Sequence, residues 1–156
     1  MDDENYMRMA IDIARTGIKN GQTPFGAAVV QNGKLVSANH NTVWRDCDPS
    51  AHAEVNAIRA AAKLLKRIEF SGCTLYTTCE PCPMCLSAIH WAKFDRVVYG
   101  ATIADAADAG FDELFVPATE MVRMGRSPLR VENGVLQQEC STLFSLWKQT
   151  GLSQTY

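Results

Sequence analysis

Three of the six cysteines recur at a fixed interval in Cys79-Glu80-Pro81-Cys82-Pro83-Met84-Cys85, and upstream Ala51-His52-Ala53-Glu54 pairs a histidine with a carboxylate. Paired thiolates two residues apart close on a metal or on a redox disulfide. A histidine added to them favours zinc, which takes sulfur and imidazole nitrogen tetrahedrally. Two sites are then open. If Cys79, Cys82, Cys85 and His52 all bind, the tetrahedron is closed and purely structural. If one cysteine stays out, the fourth position admits water and the site can be catalytic. Glu54 favours the second, because an activated water needs a base beside it and a structural knuckle does not. Pro83 suits the first turn of a helix from Met84 to about Ala92, which sets Cys82 and Cys85 at a helix N-terminus, where free N–H groups stabilise thiolates. Cys79 falls at the end of a strand, Thr74 to Thr77, as a buried neighbour.

These residues need a frame. Tyr6, Met9, Ala10, Ile13 and Ala14 recur at helical spacing, which predicts a helix from Glu4 to Lys19 stopped by Asn20-Gly21. Asn32-Gly33 between Ala27–Val30 and Lys34–Ala38 reads as a hairpin. Residues 39–49 read as a loop carrying Trp44. Asp48 or Ser50 is placed to cap a helix from Ala51 to Leu65, with Val55, Ile58, Ala62 and Leu65 as its apolar stripe. On that register His52 and Glu54 diverge, since helical neighbours lie three or four apart. Arg96–Gly100 and Leu129–Glu132 have strand character. A last helix covers Gln138 to Thr150, and Gly151 ends it before a tail, residues 151–156. Strands alternating with helices predict a three-layer α/β domain over residues 1–156, with a central five-stranded mixed sheet.

Composition narrows the classes. The 156 residues are 47% hydrophobic and 21% charged, with a formal net charge of −2. That is an ordinary globular balance, with no global basic field to attract nucleic acid. No apolar run is long enough to span a bilayer, and the acidic start Asp2-Asp3-Glu4 does not resemble a signal peptide. Six cysteines in that context point to a reducing compartment, and the expected address is the cytoplasm.

The pair H-A-E and P-C-x-x-C resembles the signature of the zinc-dependent cytidine deaminase superfamily. The resemblance implies one zinc per chain, with His52, Cys82 and Cys85 as ligands and Glu54 as proton shuttle; Cys79 lies outside the ligand pattern. That His52 and Glu54 converge is also an implication of the resemblance. Within the superfamily, Asp105 to Glu113 resembles a segment of bacterial guanine deaminases, in which a second acid, matching Glu113, assists proton transfer to the leaving amine. An asparagine matching Asn41 binds the base, and Tyr156 matches a terminal tyrosine. Ala53, Phe25, Trp91 and Asp112 complete the expected substrate contacts; Phe25 and Trp91 read equally as core, and a solvated acidic turn is the alternative for Asp112 and Glu113. The implied reaction is hydrolytic deamination of a free nucleobase, guanine first, by a homodimer. The competing branch, tRNA adenosine deaminases, leads one to expect a basic face; Arg123, Arg126 and Arg130 are a thin one. Isocytosine- or aminotriazine-like bases and guanosine are further alternatives. A zinc-stapled interaction module is the non-enzymatic one.

Overall fold

The computed structural model describes residues 2–156. Helix α1, Asp3–Lys19, turns Tyr6, Met7, Ala10, Ile11 and Ala14 inward and is capped by Asp2, whose side chain accepts from the Asn5 amide. The hairpin follows as expected: β1, Gly26–Gln31, and β2, Lys34–His40, meet through a turn in which Asn32 and Gly33 both take positive φ. Helix α3, Ala53–Leu65, leads to β3, Cys73–Cys79, then α4, Pro83–Trp91, and β4, Arg96–Ala101. The chain finishes with β5, Arg130–Glu132, and α7, Gln137–Gln149.

Three short helices depart from the sequence reading. Helix α2, Val43–Asp46, sits inside the expected loop, nucleated by a buried Val43 and a Thr42 hydroxyl that donates to Asp46. Helix α5, Ile103–Asp108, starts on a capping box in which Thr102 and Asp105 satisfy each other's backbone amides. Helix α6, Ala118–Met124, precedes β5. Each is too short for periodicity to reveal; the T-x-x-D pattern at Thr102 was the readable signal for α5.

The five strands form one sheet in the order β2-β1-β3-β4-β5. Strand β1 runs antiparallel to both β2 and β3, whereas β3, β4 and β5 are mutually parallel, so the sheet is mixed. Its two faces carry separate cores. Helices α1 and α7 cover one, around Met7, Ile11, Val98, Leu143 and Trp147; α3, α4 and α6 cover the other, around Ala57, Phe70, Leu75, Ile89 and Val97. Close approach is bought with glycine at two places. A Cβ at Gly26 would collide with the Ala10 carbonyl of α1, and one at Gly100 with the Cys140 sulfur of α7. The parallel strands β3 and β4 end side by side, Cys79 opposite Ala101. In open α/β sheets the crevice beyond the carboxyl ends of the strands is where ligands bind.

Candidate functional site

Beyond Cys79, the chain turns directly into α4. Cys82 is the N-cap of that helix, in extended backbone (φ −62, ψ 165), with Pro83 in the first turn. Cys85 follows within the turn and is fully buried. From the neighbouring α3, His52 comes to meet them, and here the sequence reading is corrected. His52 is not inside the helix but is its N-cap, extended at φ −67, ψ 157. Asp48 does not cap α3 because its carboxylate is spent on the amide and hydroxyl of Ser50. The extended N-cap explains the convergence that helical spacing forbade. With His52 outside the helix and Glu54 inside it, both side chains reach one sulfur: Cys85 Sγ lies 3.4 Å from His52 Nδ1 and 3.5 Å from Glu54 Oε2.

The donor set fits zinc. Ligand atoms of His52, Cys82 and Cys85 lie within 4.8 Å of one another, with His52 Nδ1 3.7 Å from Cys82 Sγ. Zinc–sulfur and zinc–nitrogen bonds of about 2.3 and 2.0 Å at tetrahedral angles demand roughly 3.5 Å between such atoms. Cys79 stands apart from this cluster; its thiol points to the Thr102 carbonyl at 3.5 Å, and burial raises its pKa well above the ordinary value. Cys79 is not in the group of three, so the Cys₃His alternative is not formed, and a zinc held by His52, Cys82 and Cys85 would keep one position for water.

Electrostatics of the site are those of a cation receptor. Cys82 is pushed down to about 4 by hydrogen bonds, foremost from Cys85 and then from His52. Cys85 is pushed up, as the partner that keeps its proton for Cys82 and lies buried beside Glu54. Binding of a divalent ion displaces that proton, so metal affinity rises with pH. Burial pulls His52 down, but the hydrogen bond with Cys82 and the nearby Glu54 charge outweigh it and raise it. Burial raises Glu54, whose Oε1 accepts from the Thr77 hydroxyl at 3.2 Å. Glu113, half-buried, is raised for the same reason.

Around this centre lies a cavity of about 20 Å³, lined by His52, Glu54, Cys79, Glu80, Cys82 and Glu113 together with Phe25, Asn41 and Tyr156. A space of that size holds about one water. Tyr156 is what narrows it. The segment 151–156 folds back over its own chain: Trp44 Nε1 donates to the Gln154 carbonyl at 3.0 Å, and Asn41 Nδ2 donates to the Tyr156 hydroxyl at 2.6 Å. The Tyr156 ring stands 5.6 Å from the His52 ring and 5.5 Å from Phe111, while 37% of the residue stays exposed. Asn41 itself is fully buried, with Oδ1 accepting from the Val43 amide at 3.0 Å.

Not every expected contact is brought in. Trp91 is 74% exposed on the outer side of α4 and lines a different groove. It lies six positions after Cys85, which at 100° per residue turns it about 120° away from that sulfur around the helix. Asp112 faces solvent while its neighbour Glu113 reaches the cavity. Ala53 is buried in the first turn of α3 but does not line the cavity. Two contributors went unread in the sequence. Thr77 holds Glu54 from the middle of β3, where only the strand register could have placed it. Glu80 stood inside the cysteine motif and had no role assigned.

Residues 1–101 match the family described as the cytidine and deoxycytidylate deaminase zinc-binding region. The chain belongs to that family. It is 46% identical over 117 residues to a guanine deaminase of Bacillus subtilis (strain 168), covering 74% of this chain and 75% of that one. A tRNA-specific adenosine deaminase of the same organism is 34% identical over 149 residues, covering 92% and 86%. Among solved structures, a guanine deaminase from Nitrosomonas europaea superposes with a TM-score of 0.87 at 28% identity, over 95% of this chain and 85% of that one. With the metal cluster and the fold, these likenesses make the chain a hydrolase of the deaminase type. No helix among the described residues is long and apolar enough to cross a membrane.

Proposed function

We propose that this chain hydrolyses the exocyclic amine of free guanine, giving xanthine and ammonia. The observation that carries the reading is the joining of a second acid, Glu113, to Glu54 and Asn41 around one cavity beside the His52, Cys82 and Cys85 cluster. Bound zinc supplies a Lewis acid that brings the pKa of a water from 15.7 to about 7. The rest belongs to the protein. Glu54, kept proton-hungry by burial and steered by Thr77, takes a proton from the attacking water and delivers it to a ring nitrogen. Glu113 accepts a hydrogen bond from the amine and relays to it the second proton, from the hydroxyl that the water has become; the carbonyl forms, the C–N bond breaks and ammonia leaves.

Asn41 supports the choice of base. Its Oδ1 is committed to the Val43 amide, so only its Nδ2 is offered outward, and there it now meets the Tyr156 hydroxyl. A donor held in this place suits the carbonyl of guanine, which adenine lacks. A site built for such a bond rejects a base without it by roughly 10⁴–10⁵. The Tyr156 side chain must swing aside to admit a base, and afterwards it shields the reaction from water. The expected molecular partner is thus a small nucleobase and not nucleic acid. The apolar surface around Trp91, Leu114, Phe115 and Met124 supports assembly with a second copy of this chain.

The likeness to a tRNA-specific adenosine deaminase keeps one second reading in the test. Ammonia release is to be measured with guanine, guanosine, adenine, cytosine, isocytosine and a tRNA anticodon stem-loop. Guanine is expected to react, the others poorly, and Glu113→Gln to cut turnover with zinc retained. Inosine formation in the stem-loop with guanine inert would move the protein to the editing branch.

A further inference from the structure

Residues 109–117 carry Glu113 to the cavity, and after Phe111 little within this chain holds them. Phe111 anchors the segment's start among Phe25, Phe144, Trp147 and Tyr156, but Leu114, Phe115 and Val116 are exposed on the face proposed above to meet a second copy, and the segment's internal hydrogen bonds are short-range turns such as Glu113 N to Phe111 O. Its two ends are the end of α5 and the start of α6. One side chain reaches both of those helices. Glu80 Oε2 accepts from the Ile103 amide, the first residue of α5, at 3.1 Å, and Oε1 accepts from the Ala118 amide, the first residue of α6, at 2.8 Å. These are donors that a helix start leaves without an intrahelical partner, and a carboxylate is their natural acceptor. Glu80 is itself fixed, since its own amide donates to the Ala101 carbonyl at the end of β4 at 2.8 Å. Two residues later the same segment supplies Cys82 to the metal cluster.

We propose that Glu80 is a positioning residue for Glu113: it clasps α5 to α6, closes the segment between them, and references it to the strand end that holds the metal cluster. Both of its carboxylate oxygens are occupied by backbone amides, so it moves no proton, although it lines the cavity. The inference rests on the reading of Glu113 as a participant in the reaction. Loss of one of the two bonds lets the segment drift, and a misplacement of about 1 Å can cost on the order of 10²-fold in rate.

Glu80→Gln tests this, because the amide keeps the shape yet can accept from only one of the two N–H groups. Three readouts on the zinc-loaded protein separate the outcomes. Amide hydrogen exchange across residues 109–117 is expected to quicken in Glu80→Gln with the core unchanged. Turnover of guanine is expected to fall by about 10- to 100-fold with little change in KM and with full zinc content. The double variant Glu80→Gln/Glu113→Gln is expected to be no slower than Glu113→Gln alone. Unchanged exchange, lost zinc, or independent losses in the double variant would each overturn the clasp. A Glu113→Gln protein with wild-type turnover sinks the reading of Glu113 instead, and the exchange result still reports on the clasp by itself.

Discussion

Strand β4 ends in two polar clusters that obey opposite rules. At its start, Arg96 forks between Asp3 of α1, at 2.6 and 2.8 Å, and Glu132 of β5, while the Tyr76 hydroxyl donates to Asp3 at 2.6 Å. Both carboxylates there share the Arg96 guanidinium. The Arg96 guanidinium holds Asp3 down at about 2 and lowers Glu132 as well. Near the other end of the strand, Glu54 and Glu113 share a cavity with Glu80 and Cys82, and burial pushes both Glu54 and Glu113 up. The first cluster ties the N-terminal helix to the sheet. The second is left short of positive charge, which is costly to the apoprotein and is what a cation and a proton-transfer reaction both require. A polar group placed for stability is matched by its neighbours; one placed for chemistry is kept wanting.

The contrast can be broken from the chemical end first. Cys82→Ala, or chelation of the metal, is expected to take ammonia release to background and to lower the melting temperature. Ligand binding at a thousand times its Kd stabilises a fold by about 4 kcal/mol, and that contribution is what chelation removes. Glu54→Gln comes next: turnover should fall roughly 10²–10⁴-fold while zinc analysis still finds one ion per chain. Should the zinc leave with Glu54, the carboxylate is a metal-site support and not a proton shuttle.

At the matched end the signs reverse. Arg96→Ala is expected to cost about 1–3 kcal/mol in denaturant unfolding, between the values for exposed and buried pairs, with kcat unaltered. A large loss of turnover in a fully folded Arg96→Ala protein would show that the two ends are coupled through β4. The smallest effect is in acid. Asp3 titrates at about 2 in the folded protein against 3.8 without its partners, so its contribution is fully present above 3.8 and is lost as pH falls through about 2. Asp3→Asn should therefore flatten the decline of stability across that window and leave neutral-pH activity alone. An unchanged acid profile would mean that the Arg96 fork is too solvated to matter.

How much of this was legible in advance divides by physical range. The hairpin at Asn32-Gly33, the amphipathic helices and the zinc-type spacing of Cys82 and Cys85 are local facts: turn chemistry, a 3.6-residue period and helix N-terminal geometry act over a few residues, and the chain order alone determined them. The identity of the His52 partner and its shuttle was readable only as a pattern, because helical spacing argued against it. Tertiary structure decided the rest. It put His52 in extended backbone before α3 so that Glu54 could share a sulfur with it, and it turned Cys79 away to the Thr102 carbonyl. It also gave Glu80 two helix starts to hold. Those outcomes depend on where β3 and β4 end relative to one another, a distance across the sheet that no local period encodes.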